Sequence, residues 1–155
     1  MDAIHEFKYN GRSYLAKSLG QLMTAWAGGW LPPDVAGLMM PIPLHPKRLR
    51  ERGFNQSLLL ARVMASGLGF DLDFLSLRRI RYTPPQTGLD TKARRKNVRR
   101  AFEVKGSGSL KGQTIILVDD VATTGNTINE CARVLKRAGA AKVIGLVLAR
   151  TGGRI

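Results

Sequence analysis

Two adjacent carboxylates and a hydroxyl-rich loop hold the densest chemistry in this chain. Asp119 and Asp120 lie in "LVDDVATTGNT", followed at once by Thr123, Thr124 and Thr127. Small residues such as Ala122 and Gly125 let backbone N–H groups approach a ligand, and a helix starting after them turns its positive end toward it. A loop of this kind holds a phosphate. The carboxylates repel one, so they need a different ligand group. They can accept hydrogen bonds from a vicinal diol, as acidic residues do from ribose, or help hold a hydrated magnesium ion. Phosphate at one end and two hydroxyls at the other describe ribose 5-phosphate. In that reading Val121, Ala122, Thr123, Thr124, Gly125, Asn126 and Thr127 wrap the phosphate, and Asp119 and Asp120 read the sugar. Neither the Walker spacing nor the dinucleotide G-x-G-x-x-G is present. A plainer alternative makes Thr127 and Glu130 a capping box for the following helix.

Cations supply the second chemistry. From Arg78 to Lys111 there are eleven Lys or Arg residues, opposed only by Asp90 and Glu103. That stretch carries nine of the fourteen net positive charges. Lys47, Arg48, Arg50 and Arg52 against Glu51 form a smaller cluster. One or two of these groups can close over a departing anion and stabilise its charge. Arg94 and Arg95 are the first candidates, with Arg48 and Arg52 as alternatives. The surplus instead suits a nucleic-acid backbone, with Arg94, Arg95, Lys96, Arg99 and Arg100 as a track. Tyr82 and Phe54 are the only aromatics beside the basic runs, so backbone electrostatics should outweigh base stacking.

The elements that must position these groups follow from periodicity and turn signals. From Arg12 to about Trp26, apolar residues at helical spacing predict a helix, ended by Gly28-Gly29 and Pro32-Pro33. "GLMMPIPL" reads as a short buried strand whose end frays at Pro41 and Pro43. "HPKRLRERGFNQ" reads as a basic loop. Asn55 caps a helix that Gly67 and Gly69 stop, and "LSLRRIRY" alternates like a strand. Thr83 to Phe102 reads as a long mobile loop with a helical turn. "TIILVDD" is a buried strand ending in the carboxylates. The next helix carries Ile128, Cys131, Ala132, Leu135 and Ala138 on one face, with Gly139 at its end. "KVIGLVLA" is another buried strand. Strand, loop, helix, strand implies a right-handed crossover and a parallel sheet, hence an α/β fold with its site at the strands' C-terminal ends.

The 155 residues suffice for one domain with a core, and 44% apolar content argues against disorder. A net charge of +14 points to a polyanionic partner. The single cysteine, Cys131, excludes an intrachain disulfide and a cysteine-based zinc site; on the helix face it reads as core. His45 lies in the presumed anion loop, and His5 reads as structural. The N-terminus "MDAIHEFKYNGR" shows no apolar leader, and "VIGLVLA" is too short to cross a bilayer. The expected location is cytoplasmic.

At this point the motifs resemble known ones. "IILVDDVATTGNT" resembles the phosphoribosyl-pyrophosphate signature of type I phosphoribosyltransferases. "PIPLHPKRLRERGFNQ", with Gln86, Leu89, Arg94, Asn97, Ala101 and Phe102 further on and "FKYNGR" near the start, is similar to the ComF/GntX family of competence-associated proteins. The resemblance implies a type I phosphoribosyltransferase-like fold: a parallel twisted sheet flanked by helices, with a long mobile loop over the site. It implies binding of phosphoribosyl pyrophosphate or a related ribose 5-phosphate compound with Mg2+, held through the substrate beside Asp119 and Asp120. Pro43, Leu44 and His45 would meet the pyrophosphate. It also implies a role in DNA uptake, with single-stranded DNA and the competence helicase machinery as partners. Members usually open with a cysteine-rich zinc ribbon. The expectation here is a single phosphoribosyltransferase-like domain over residues 1–155 without it. Phosphoribosyl transfer, a non-catalytic single-stranded-DNA-binding factor and an ordinary nucleobase salvage enzyme all stay open, and the acceptor is unassigned.

Overall fold

The computed structural model describes residues 14–32, 35–83, 97–106 and 110–151. Readings of "DAIHEFKY" and "FKYNGR", of His5, and of the loop from residue 84 to 96 lie outside these residues.

The central sheet has four parallel strands: β1 (Leu38–Pro41), β2 (Asp71–Leu72), β5 (Thr114–Ala122) and β6 (Lys142–Arg150), in the order β2-β1-β5-β6. Its helices are α1 (Leu15–Gly28), α2 (Pro46–Arg52), α3 (Gln56–Leu68) and α4 (Asn126–Arg137). A separate antiparallel pair, β3 (Leu77–Arg79) and β4 (Phe102–Val104), stands apart from that sheet. The expected parallel α/β architecture is present.

Strand pleating explains the two cores. Successive side chains point to opposite faces, so Met39, Ile116 and Val118 pack with Leu60, Ala61 and Met64 of α3 and Ala16, Met23 and Ala27 of α1. Met40, Ile115 and Leu117 pack on the other face with Cys131 and Leu135 of α4 and with Leu77 and Phe102 of the small pair. Helix α1 approaches α3 closely because two glycines face it or line it. A Cβ at Gly20 would lie 2.6 Å from the Val63 Cβ, and one at Gly67 would lie 2.7 Å from Thr24 Cγ2.

Four sequence expectations need correction. "HPKRLRERGFNQ" is not all loop: Pro46 sits where a helix tolerates proline, His45 caps it, and Gly53 at φ 81° ends the α2 turn pair. In "LSLRRIRY" the strand is only Leu77–Arg79, and it belongs to the small sheet. The loop reading fails at its last residue: Phe102 opens that sheet's second strand, Phe102–Val104, because Phe102 and Val98 are buried apolar anchors within a charged run. Gly67 does not stop α3; the helix runs to Leu68 and ends at Gly69, φ 71°. Asn55 caps α3 as expected, accepting from the Ser57 N–H at 3.1 Å.

Candidate functional site

Register brings the two loops singled out in the sequence together. Pro41, the last residue of β1, pairs with Val118 of β5, one residue before the carboxylates. From β1 the chain goes outward to β2, and from β5 it goes the other way to β6. The C-terminal ends of β1 and β5 therefore flank the point where the winding reverses, which is where open α/β sheets place ligands. Pro43 and Leu44 follow β1 at this point, and Asp119 to Gly125 form the end of β5 and the turn after it.

The carboxylates are held, not loose. The Ser57 hydroxyl at the start of α3 donates to Asp119 Oδ1 at 2.9 Å, and the Asp120 N–H donates to the same oxygen at 3.0 Å. The Val121 N–H donates to Asp120 Oδ1 at 2.8 Å, and Asp120 is only 7% exposed. Hydrogen bonds of this kind fix the orientation of each acid and limit what it must reorganise.

The loop then turns into α4 through Gly125, which adopts φ 72° at the N-cap, a conformation that costs a side-chain-bearing residue. The N-cap position is Gly125, not Thr127, and a glycine has no side chain to cap with. The capping-box alternative is thereby overturned: Glu130 accepts instead from the Arg100 N–H at 2.7 Å and from Arg133 at 2.6 Å and 2.9 Å. The Arg133 bond is the main reason its carboxyl lies below the ordinary value. Thr124 Oγ1 and Asn126 Nδ2 are buried and make no hydrogen bond. Buried polar atoms are ordinarily satisfied, so two orphans at one helix N-terminus are unusual.

The basic cluster after β1 is more ordered than its composition suggests. His45 Nδ1 accepts from the Lys47 N–H at 3.2 Å, so this imidazole is engaged as a cap. Its ring meets Tyr82 edge-on at 5.4 Å between centroids. Lys47 Nζ lies 4.7 Å from the centre of that ring and the Arg48 guanidinium 6.0 Å. Arg52, at the end of α2, donates to Gln56 at the start of α3 at 3.1 Å.

Arg79, on β3, was not singled out in the sequence. It donates to the Thr83 hydroxyl, lies 5.3 Å from the Phe102 ring, and leaves its Nε buried without a partner. Burial lowers its pKa most; Arg48 acts the same way, while Cys131 and Asp119 oppose. It remains protonated. Arg81 ties the stems on either side of residues 84–96 by donating to the Asn97 and Arg99 carbonyls, each at 2.7 Å. Arg99 and Arg100 are exposed. Arg94, Arg95 and Lys96 lie outside the described residues. Burial pushes the Cys131 thiol well above its ordinary value, as fits a core residue.

Ser57 and Asn55 were also missed as site residues. Asn55 Nδ2 donates to the Ile42 carbonyl at 3.1 Å, fixing the loop after β1. The available signal was their place in "GFNQS" at a helix start, where side chains cap helices and can face the neighbouring strand ends.

Residues 55–154 match the phosphoribosyl transferase domain family. The chain is 35% identical over 153 residues to DNA utilization protein YhgH of Salmonella typhimurium, covering 96% of this chain and 66% of that protein. It is 31% identical to competence protein F of Haemophilus influenzae, covering 90% of this chain and 63% of that one. The chain thus spans just under two thirds of the length of the curated relatives it matches, and the resemblance to competence-associated proteins is borne out. Among solved structures, the glutamine phosphoribosylpyrophosphate amidotransferase from B. subtilis superposes with a TM-score of 0.55 at 21% identity, covering 86% of this chain and 26% of that one. That likeness establishes the type I phosphoribosyltransferase fold. None of the helices among the described residues is long and apolar enough to cross a membrane.

Proposed function

Because this chain belongs to the phosphoribosyl transferase domain family, we propose that its Asp119–Thr127 segment binds phosphoribosyl pyrophosphate or a close ribose 5-phosphate relative. The observation that carries this reading is the pair of buried, unsatisfied groups Thr124 Oγ1 and Asn126 Nδ2 beside the left-handed Gly125. The 5-phosphate takes these donors and the first N–H groups of α4. Asp119 and Asp120 take the ribose hydroxyls. The pyrophosphate extends toward Pro43, Leu44, Arg48 and Arg79.

Mg2+ fits this arrangement as the substrate's counter-ion. Among the described residues there is no cluster of three His, Cys, Asp or Glu that would hold a metal alone, and Mg2+ ordinarily binds through one or two carboxylates plus substrate phosphates. The ion would neutralise pyrophosphate while Asp119 and Asp120 orient the sugar beside it. In a transfer reaction, an acceptor's lone pair forms the new bond to the anomeric carbon as the bond to pyrophosphate breaks. The carboxylates then face a cationic sugar, and the cations of α2 and β3 face the leaving anion. Arg94 and Arg95 would join from the segment between the small strands.

A second reading is single-stranded DNA binding without turnover, in a DNA-uptake role of the kind that relatives named for DNA utilization and competence suggest. It is favoured by Lys47 and Arg48 gathered over Tyr82 and by the exposed Arg99 and Arg100. Phosphate contacts of this type weaken steeply with salt.

Thermal shift distinguishes the parts. Phosphoribosyl pyrophosphate with Mg2+ should raise Tm most, ribose 5-phosphate less, and pyrophosphate least. A ligand at ~100 times its Kd adds about 2.7 kcal/mol. Equal shifts from all three would mean unspecific anion binding and would remove the sugar-reading role of the carboxylates.

A further inference from the structure

Arg79 is a charge on a face that otherwise packs apolar side chains. Alternation along β3 sends Leu77 and Arg79 to the same side. Leu77 is 3% exposed and packs with Met40, Ile42 and Phe102. Arg78, between them, is exposed and donates to the Leu75 carbonyl at 3.1 Å. Arg79 pairs with Phe102 across the small sheet, and its guanidinium lies 5.3 Å from that ring. Packing of Leu77 and Phe102 against Met40 and Ile42 sets this sheet beside the end of β1, just before Pro43 and Leu44.

That charge is poorly satisfied within the protein. Of the five N–H donors of a guanidinium, one meets an acceptor among the described residues, the Thr83 hydroxyl, and Nε is buried with no partner. Burial is the largest influence lowering the pKa of Arg79, and Arg48 and Arg81 add to it. Asp119 is the carboxylate that opposes them, and its Oδ1 already accepts from Ser57 and from the Asp120 N–H. The guanidinium groups of Arg79, Arg48 and Arg81 thus face one engaged carboxylate. A buried cation without a matching anion destabilises a fold, and an apolar side chain of similar size in its place is often more stable. The charge is explained by an anion that visits it. The guanidinium fork matches phosphate oxygens. The surplus of cations asks for more than one negative charge, and the part-buried position admits a small molecule rather than a polymer.

We infer that Arg79 anchors an oxyanion site of its own beside the end of β1, distinct from the Asp119–Thr127 loop, which takes a compact phosphate-class anion such as inorganic pyrophosphate with no sugar attached. The free chain carries this site at a cost in stability, and the anion offsets that cost. The inference deepens the proposed function at its pyrophosphate end and rests on that reading only for the identity of the anion.

The test is calorimetry and thermal shift of the full chain, with inorganic pyrophosphate, ribose 5-phosphate and single-stranded DNA as separate probes. Arg79→Met should have a Tm equal to or above that of wild type without ligand. It should bind pyrophosphate about 100-fold more weakly, and ribose 5-phosphate and single-stranded DNA as before. Arg79→Lys, which keeps the charge but not the fork, should fall between the two for pyrophosphate. Four results would overturn the inference: a wild type that takes up no pyrophosphate, a Met variant that binds it as tightly as wild type whatever happens to DNA affinity, a Met variant that loses ribose 5-phosphate as well, or one of lower Tm. A wild type that binds pyrophosphate but not ribose 5-phosphate would support the Arg79 site and sink the reading of the Asp119–Thr127 loop.

Discussion

The loop after β5 and the cationic surface treat charge in opposite ways. At the end of β5, each carboxylate already accepts a hydrogen bond from a neighbouring group, and the loop leaves two buried groups waiting. The cations of α2 lie mostly at the surface and rest on an aromatic face. The first region holds its polar groups in fixed positions, which suits the small ligand proposed for it. The second tolerates many arrangements of negative charge. A long parallel strand can hold atoms to a fraction of an ångström, whereas exposed lysine and arginine side chains keep their rotamer freedom.

That contrast predicts opposite responses to one change. Asp119→Asn/Asp120→Asn should lower phosphoribosyl pyrophosphate affinity by about 100-fold or more, as two charge-assisted hydrogen bonds of ~1.5–3 kcal/mol each are weakened. Single-stranded DNA affinity should hold or rise, because two negative charges are gone. Calorimetry and a filter-binding titration read the two effects, and parallel losses would break the distinction.

Next in size is Gly125→Ala. The left-handed conformation costs a Cβ roughly 1–2 kcal/mol, and nothing crowds it closely, the nearest atom being Asn129 Nδ2 at 3.9 Å. The strain should therefore appear as a Tm drop and a weaker phosphate site, with DNA binding unchanged. Tm that holds while ligand affinity holds too would show that the loop does not depend on this turn.

Lys47→Ala/Arg48→Ala addresses the other region. If both reach phosphates, the salt slope for single-stranded DNA should shrink by about 1.4, at ~0.7 per contact. An unchanged slope would place the track elsewhere.

The smallest effect belongs to the link between the regions. Glu130 bridges α4 to Arg100, the only non-glycine residue among those described with positive φ, 57°. Its folded carboxyl lies below the ordinary value of 4.5. The stability it contributes is therefore present above that value and lost as pH falls through the lower folded one. Glu130→Gln should cost about 1 kcal/mol at pH 7 and flatten the acid limb of a stability-versus-pH curve. A curve matching wild type would remove the link.

The sequence made the first region legible because its signals are local. Val118, Asp119, Asp120, Gly125 and the apolar face of α4 are contiguous, and each obeys a short-range rule. The second region was legible only as charge. That Lys47 and Arg48 meet Tyr82 depends on contacts about thirty-five residues apart in sequence, which no periodicity encodes. The three-residue strand Phe102–Val104 follows four charged or polar positions among six, so its two buried anchors were masked by composition. Ser57 looked like an ordinary first-turn serine; only the fold brings it to Asp119, sixty-two residues away.

The most direct measurement is a calorimetric titration of phosphoribosyl pyrophosphate into the chain, with Mg2+ and then with the ion chelated. The account predicts one site per chain, affinity that falls without Mg2+, and no measurable heat of binding in folded Asp119→Asn/Asp120→Asn. A folded wild-type chain that takes up none, or a double variant that binds as well as wild type, would contradict it.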